Sequence, residues 1–289
     1  MRLAHLSDLH LYPPGALRVA DVLGRRTAGA LNLFLMRKPA HAVDRAKAAV
    51  AAVIEAQVDH VIVTGDLTNL ALEPEFALAA EVLAPLGGHE RLSIVPGNHD
   101  YYTPAVIAMK RFEHWFGHLV WPSGEGDYPA HKDLQGVRLI LARSATMPPP
   151  LCAHGWIGAR QAATIETLAC EARDMGLFPV LAVHHYIHVQ HSVREITGFL
   201  VDRGRLRELI RTSGLGLMLH GHDHHPHEMV VAGSDGRRVP VIGCGSTTAF
   251  RPEQGVFGHF NIYEIANGRV TVQRWQAADQ GDRYHPVAG

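Results

Sequence analysis

Val95-Pro96-Gly97-Asn98-His99-Asp100 follows a short apolar run, breaks at Pro-Gly, and then presents an amide, an imidazole and a carboxylate in succession. Alone it reads as a polar turn. Four more breaks of the same kind stand elsewhere in the chain: Asp8-Leu9-His10, Gly65-Asp66, His184-His185 and Gly221-His222-Asp223-His224. Each comes directly after a predicted strand. In open α/β sheets the carboxyl ends of the strands line one crevice, so the five clusters are expected to face the same space.

The strands and helices around these breaks set the fold. Leu3 to Leu6 reads as a first strand, Ala40 to Val58 as an alanine-rich helix, and His60 to Thr64 as a β-branched buried strand. Pro74 to Leu86 is a second helix with Pro in its first turn, and Leu92 to Val95 a third strand. This βαβαβ run predicts parallel strands with right-handed crossovers. Further on, the pattern predicts helices over about 105–116, 158–174 and from Asp202, with Asp202 as N-cap. Strands are expected at 137–142, 180–183 and 215–219. Met147-Pro148-Pro149-Pro150 reads as an extended loop.

From Glu228 the character changes. Met229 to Ala232, Val239 to Ile242, Phe257 to Ile265 and Val270 to Trp275 are separated by Gly-Ser-Asp-Gly and Asn267-Gly268 turns, and they read as hairpins. The expected fold class is therefore α/β, or α+β by some schemes: two packed mixed β-sheets flanked by helices, an αββα sandwich. We expect one domain over 1–289, with a candidate cap or lid at 13–40.

Composition narrows the function. Lys plus Arg number 27 against 28 Asp plus Glu in 289 residues, so no global field recruits nucleic acid, and none is expected as a partner. Histidine, with 21 residues, is the outlier, and imidazole is the commonest metal ligand. Cys152, Cys170 and Cys244 are scattered and in no metal spacing; they read as buried small hydrophobes in a reducing compartment. The opening Met1-Arg2-Leu3-Ala4-His5 has no secretory pattern, and a cytoplasmic location is expected. The apolar run 28–36, flanked by Arg25, Arg26, Arg37 and Lys38, is too short to span a bilayer. It reads either as an interfacial helix, giving membrane association, or as a cap over the site.

Gly65, Gly97 and Gly221 each remove side-chain bulk just before a donor. Asp8 and His10 are two apart, as are His222 and His224, so in extended backbone each pair would point one way. Oxygen and nitrogen donors without thiolate suit Mn, Fe or Zn. Lone readings as polar strand ends or solvated turns compete with this for each cluster; all five in order favour the metal.

The series D-x-H, G-D, G-N-H-D, H and G-H-x-H over Asp8 to His224 resembles the calcineurin-like metallophosphoesterase superfamily. That resemblance implies a hydrolase of small phosphoesters with two divalent or mixed-valence metal ions (Mn, Fe or Zn). One ion would take Asp8, His10 and His224, the other Asn98, His184 and His222, and Asp66 would bridge them. Net positive charge over the two ions would attract an anionic ester, and a metal-bound hydroxide would attack it. His99 would be the catalytic, non-ligand histidine, held by Asn98 beside the leaving-group oxygen.

Asn69 stands where the phosphoprotein phosphatase branch has aspartate, and the Arg-Gly after it is missing. The sequence looks closer to the bacterial branch of class III cyclic-nucleotide and glycerophosphodiester phosphodiesterases. Tyr186 departs from the proline usual there. A phosphomonoesterase or nucleotidase with the same site is the alternative, then a silent scaffold or a nuclease. Asp100 reads as structural, and His185, His225 and His227 as supports. His188, His191, Arg194 and Arg251 are candidate substrate contacts. Oligomeric state is not readable from the sequence.

Overall fold

A computed structural model describes residues 1–17, 40–147, 152–189, 197–278 and 280–287. Most of the 13–40 segment, the whole 28–36 run, Pro148 to Pro150, His191 and Arg194 lie outside the described residues.

Two six-stranded sheets pack face to face. The first has the order β12-β11-β10-β1-β2-β3, with β1 (Arg2–Leu6), β2 (His60–Val63) and β3 (Leu92–Ile94) parallel. β10 (His259–Ala266), β11 (Arg269–Ala277) and β12 (Tyr284–Pro286) continue it antiparallel from β1. The second sheet has the order β4-β5-β6-β7-β9-β8. Here β5 (Val137–Leu141), β6 (Phe178–Ala182), β7 (Leu217–His220) and β9 (Arg238–Gly243) are parallel, edged by antiparallel β4 (Ala130–Leu134) and β8 (His227–Ala232). A mixed, doubly covered sandwich is what the sequence pattern predicts.

Each apolar layer follows from that stacking. Between the sheets, Leu3, Ile62, Leu139, Val180, Leu217 and Tyr263 form one buried cluster. Outside the first sheet, helices Ala40–Glu55, Glu73–Leu83 and Arg111–Val120 bury Val53, Phe76 and Phe112. Outside the second, helices Ala159–Asp174 and Arg203–Thr212 bury Ile165 and Leu206.

Several local expectations need correction. The single helix expected at 105–116 is two, Pro104–Ala108 and Arg111–Val120, because Lys110 turns left-handed (φ 48°) and breaks the ladder. Strands β4 and β12 carry too little apolar alternation to be read. β9 is no simple hairpin strand, since it also pairs parallel with β7. Asp202 takes the N-cap position of its helix, as expected, but its carboxylate makes no cap bond there and instead accepts from Ile157 N (3.0 Å) and Gly158 N (2.8 Å), at the start of the neighbouring helix. Of the cysteines, only Cys244 is buried, while Cys152 is half-buried and Cys170 exposed.

Candidate metal centre

Every donor named from the sequence sits just beyond the carboxyl end of a parallel strand. Asp8 and His10 follow β1, Asp66 follows β2, Asn98 and His99 follow β3, His184 follows β6, and His222 and His224 follow β7. The first three strands belong to one sheet and the last two to the other, so the donors meet across the sandwich seam.

The backbone there is not the extended chain expected. Asp8 (φ 53°), His10 (46°), Asp66 (54°), His222 (74°) and His224 (62°) are all left-handed. They make up five of the nine such non-glycine residues among the described residues. This conformation is sterically costly for L-residues, less so for Asp, Asn and His. Each donor therefore enters the site from a tight turn, and the two members of a D-x-H or H-x-H pair converge because each bends. Strain of this kind, about 1–3 kcal/mol per residue, persists only where the surroundings hold it.

The glycines permit the same crowding. A Cβ on Gly97 would collide with the Asp66 carboxylate, one on Gly65 with the Gly97 backbone, and one on Gly221 with Ser7 and Asp8. The turns are tied together: Asp8 N donates to Gly65 O (3.0 Å), and His10 N to Asp66 O (2.9 Å).

Two groups of donor atoms result. Asp8, His10, Asp66 and His224 form one, and Asp66, His184 and His222 the other. In the first, His10 Nε2 and His224 Nε2 are 3.1 Å apart, and Asp8 Oδ1 is buried without a hydrogen-bond partner 3.3 Å from His224 Nε2. Asp66 Oδ2 reaches both groups, 3.7 Å from His10 Nε2 and 3.5 Å from His184 Nε2. In the second, His184 Nε2 lies 3.2 Å from both Asn98 Oδ1 and His222 Nδ1.

The far side of each ring decides which nitrogen faces inward. His10 Nδ1 donates to Thr68 O (3.1 Å), His184 Nδ1 to Thr64 O (2.6 Å) and His222 Nε2 to Gly198 O (2.7 Å). A neutral imidazole so held turns its lone pair inward, the arrangement that metal-ligating histidines use. Converging lone pairs, an orphaned carboxylate oxygen and a shared Asp66 fit divalent cations, with nitrogen and oxygen donors suited to borderline ions.

Electrostatics agree. Burial would raise the Asp66 carboxyl, but His184, then His99 and His10, hold it well below the ordinary range. Burial opposes protonation of His184, yet Asp66 and then Asp8 push it up to about 9. Burial, then His185 and His184, keep His222 well below the usual imidazole value. Asp66 and His184, 3.5 Å apart, thus stabilise each other's charged forms.

His185 is excluded from the donors. Its ring contacts Ser144 Oγ (2.7 Å) and Ala153 O (2.9 Å), so both nitrogens are engaged in the core. Asp100 is structural: its carboxylate accepts from Gly97 N (2.9 Å) and Thr68 N (3.1 Å), fixing the G-N-H-D turn. Burial, then Asp66, pushes its carboxyl up to about 7.

His99 is held differently from the expectation. Asn98 faces His184, and His99 Nδ1 instead donates to the backbone carbonyl of Asn69 (2.6 Å), while His99 N donates to Asp66 Oδ1 (2.8 Å). The Asn69 side chain points elsewhere, donating to His10 O (2.7 Å) and Leu11 O (3.2 Å). Asn69 holds the His99 ring through its backbone carbonyl. The backbone sets its tautomer.

His188 is 7% exposed, stacked on His227 (3.8 Å) and paired with Asp223 (3.3 Å), so it braces the His222–His224 turn. The sequence reading missed one brace. Beyond β9, Ser246 Oγ donates to Asp8 O (2.8 Å), Thr248 Oγ1 to Leu9 O (2.7 Å), and Thr247 N to Ser7 O (2.8 Å). Its signal was Ser-Thr-Thr separated by two residues from the end of an apolar strand.

The profile of the calcineurin-like phosphoesterase family matches residues 1–226. The chain belongs to this family. Calcineurin-like phosphoesterases are metal-dependent hydrolases of phosphoesters, and the chain is a phosphoester hydrolase with clustered Asp and His that could hold metal. A protein of Synechococcus sp. (strain WH7803) named a probable cyclic nucleotide phosphodiesterase is 28% identical over 96% of this chain and 98% of its own. A second of that name, from Rhodococcus erythropolis, is 26% identical over 85% and 70%. Among solved structures, a dimetal phosphatase from Danio rerio superposes with a TM-score of 0.64 at 12% identity, covering 99% of this chain and 98% of that one. The purple acid phosphatase PPD1 from yellow lupin gives 0.60 at 11%, covering 99% and 52%. These two establish the fold. Among the described residues no helix is long and apolar enough to cross a membrane.

Proposed function

We propose that this calcineurin-like phosphoesterase is a dinuclear phosphodiesterase of small substrates, a cyclic nucleotide or a glycerophosphodiester. The observation that carries the reading is the pair of donor groups meeting at Asp66. Asp8, His10 and His224 would hold one cation, Asn98, His184 and His222 the other, and Asp66 both. When bound, two divalent ions of Mn, Fe or Zn polarise phosphoryl oxygens and acidify a water.

The chain's own residues do the rest. Only Asp8 and Asp66 among these donors carry negative charge, so the occupied site keeps net positive charge for an anionic ester. His99 stands edge-on to His10 with ring centroids 4.8 Å apart. With Nδ1–H donated to Asn69 O, the protonated ring would present Nε2–H to the departing oxygen, handing over that proton or steadying its charge. Tyr102, with its ring centroid 5.5 Å away, packs beside it.

A diester needs room for a second organic arm. A groove of about 860 Å³ is lined by Tyr101, Tyr128, Arg143 and Trp156, with none of the donors in its wall. Tyr101 follows the His99-Asp100 turn, and Arg143 follows β5, the neighbour of the strand that delivers His184. The names carried by the two curated relatives support the diester and the cyclic nucleotide.

Turnover of bis(p-nitrophenyl) phosphate against p-nitrophenyl phosphate, with Mn²⁺ added, tests the reading. Faster turnover of the diester is expected. Preference for the monoester turns the assignment toward a phosphomonoesterase or nucleotidase.

A further inference from the structure

Under the donor groups the core contains a continuous line of polar side chains, all fully out of solvent: Asn261 and Tyr263 on β10, His5 on β1, Thr64 after β2, and Ser7. Five polar groups among apolar neighbours cost stability unless each is hydrogen-bonded, and apolar residues of similar shape would serve packing as well. Their presence points to a directional task.

The contacts are sequential. Asn261 Nδ2 lies 3.0 Å from Tyr263 Oη, and Tyr263 Oη 3.2 Å from His5 Nδ1. His5 Nε2 is 2.8 Å from Thr64 Oγ1, and Thr64 Oγ1 2.8 Å from Ser7 Oγ. Ser7 Oγ faces the Thr64 carbonyl at 3.4 Å. That same carbonyl accepts the Nδ1–H of His184 at 2.6 Å.

With Asn261 Nδ2 turned to Tyr263 Oη and its Oδ1 left without a partner, one proton arrangement satisfies every hydroxyl. Asn261 donates to Tyr263, so the Tyr263 proton must go to His5 Nδ1. His5 then carries its proton on Nε2 and gives it to Thr64. Thr64 gives its hydroxyl proton to Ser7, and Ser7 gives its own to the Thr64 carbonyl. A protonated His5 would confront Tyr263 Oη with a second donor, so the line works only with a neutral ring. Burial, then His220, lowers the His5 imidazole to about 3, in keeping with that state.

We propose that Asn261, Tyr263, His5, Thr64 and Ser7 form a positioning network that locks the Thr64 carbonyl onto His184 Nδ1 and so aims His184 Nε2 at the second cation. The network rests on the proposed dinuclear reading and extends it. Control of one donor group reaches across the sheet to β10, behind the first-strand motif. Outer partners of metal-ligating histidines change affinity by about 10- to 100-fold when removed, because a freed ring samples other orientations.

The test pairs Mn²⁺ binding isotherms with imidazole ¹⁵N spectra of the metal-free protein, on wild type, Tyr263→Phe, Thr64→Val and Thr64→Ser. Wild type is expected to show neutral His5 with its proton on Nε2 and to bind two ions. Tyr263→Phe and Thr64→Val should weaken one of the two ions about tenfold or more, while Thr64→Ser, which keeps the hydroxyl, should bind both like wild type. If Thr64→Val does not fold, Tyr263→Phe, which keeps the ring, decides alone. Unchanged binding in the folded variants, equal weakening of both ions, or a His5 proton on Nδ1 overturns the network. Wild type that binds no Mn²⁺ instead overturns the dinuclear reading beneath it.

Discussion

The donor group of Asp8, His10 and His224 and that of Asn98, His184 and His222 meet at Asp66, yet they would present different charge to a cation. The first combines two carboxylates with two imidazoles. The second has Asp66 as its one carboxylate, with an amide and two imidazoles. The first also opens outward, since the His224 side chain is 22% exposed whereas that of His184 is fully buried. Charge favours firm binding in the first group, while neutral donors leave a second cation more electron-poor and better able to draw in an anionic ester. In the proposed dinuclear reading, tight holding and strong polarisation would thereby be divided between two neighbouring sites.

Removing the shared residue should abolish the division. Asp66→Ala takes a carboxylate from both groups at once, so both cations and nearly all activity are expected to go, a fall in kcat on the order of a thousandfold or more. Elemental analysis beside the kinetics checks it, and retention of two ions would break the bridging assignment. His99→Ala should behave otherwise. It should keep both ions and lose about 10²–10⁴ in rate, the range for a general acid. Metal loss equal to that of Asp66→Ala would show that His99 is a donor.

The five donor motifs and the strand ends beneath them were legible in the sequence because each couples an apolar run to a break rich in Asp, His and Gly. Which of His184 and His185 faces the site was not. Both follow β6, and only the contacts of His185 with Ser144 and Ala153, residues far off in the chain, settle which way the rings point. The hold on His99, expected from Asn98, was hidden for a related reason. A motif names a residue, and here the backbone carbonyl holds the ring while the amide points away. The left-handed turns and the Ser246–Thr248 brace were hidden too, since both depend on chain packing against chain across the seam. Long apolar strands announce themselves locally; braces and orientations do not.

Charge exchange tests the comparison directly. Asn98→Asp gives the second group a second carboxylate and is expected to tighten the weaker ion, on the order of tenfold, while slowing turnover. Faster turnover with unchanged affinity would contradict the division of labour. A related effect lies in the proton held by His184. Its folded value of about 9 means the ring is charged at neutral pH and must release a proton before it can ligate. Affinity for one Mn²⁺ is therefore expected to rise about tenfold per pH unit from pH 6.5 toward 8 and to level above 9. Titration calorimetry in buffers of different ionisation enthalpy would count the proton, and binding without proton release would remove His184 from the donors.

At the opposite end of the same sheet His60 has the reverse sign, and its effect is the smallest. It starts β2, is 1% exposed, and shares its ring nitrogens with Ser93 Oγ (2.9 Å) and Glu90 O (3.1 Å). Burial, then Lys132, lowers its imidazole to about 3. The unfolded chain takes up a proton near pH 6.5 that the folded ring refuses, so this contribution is complete above pH 6.5 and declines as pH falls toward 3. The loss is about 1.4 kcal/mol per pH unit within that window. The buried rings of His5 and His185 have values near 3 as well, and add to the same slope. His60→Gln should flatten the dependence of unfolding free energy between pH 6 and 4.5 by the share of one proton, read from urea unfolding at several pH values. An unaltered slope would mean that His60 is already charged in the fold, and the contrast between His184, which holds a proton, and His60, which excludes one, would fail.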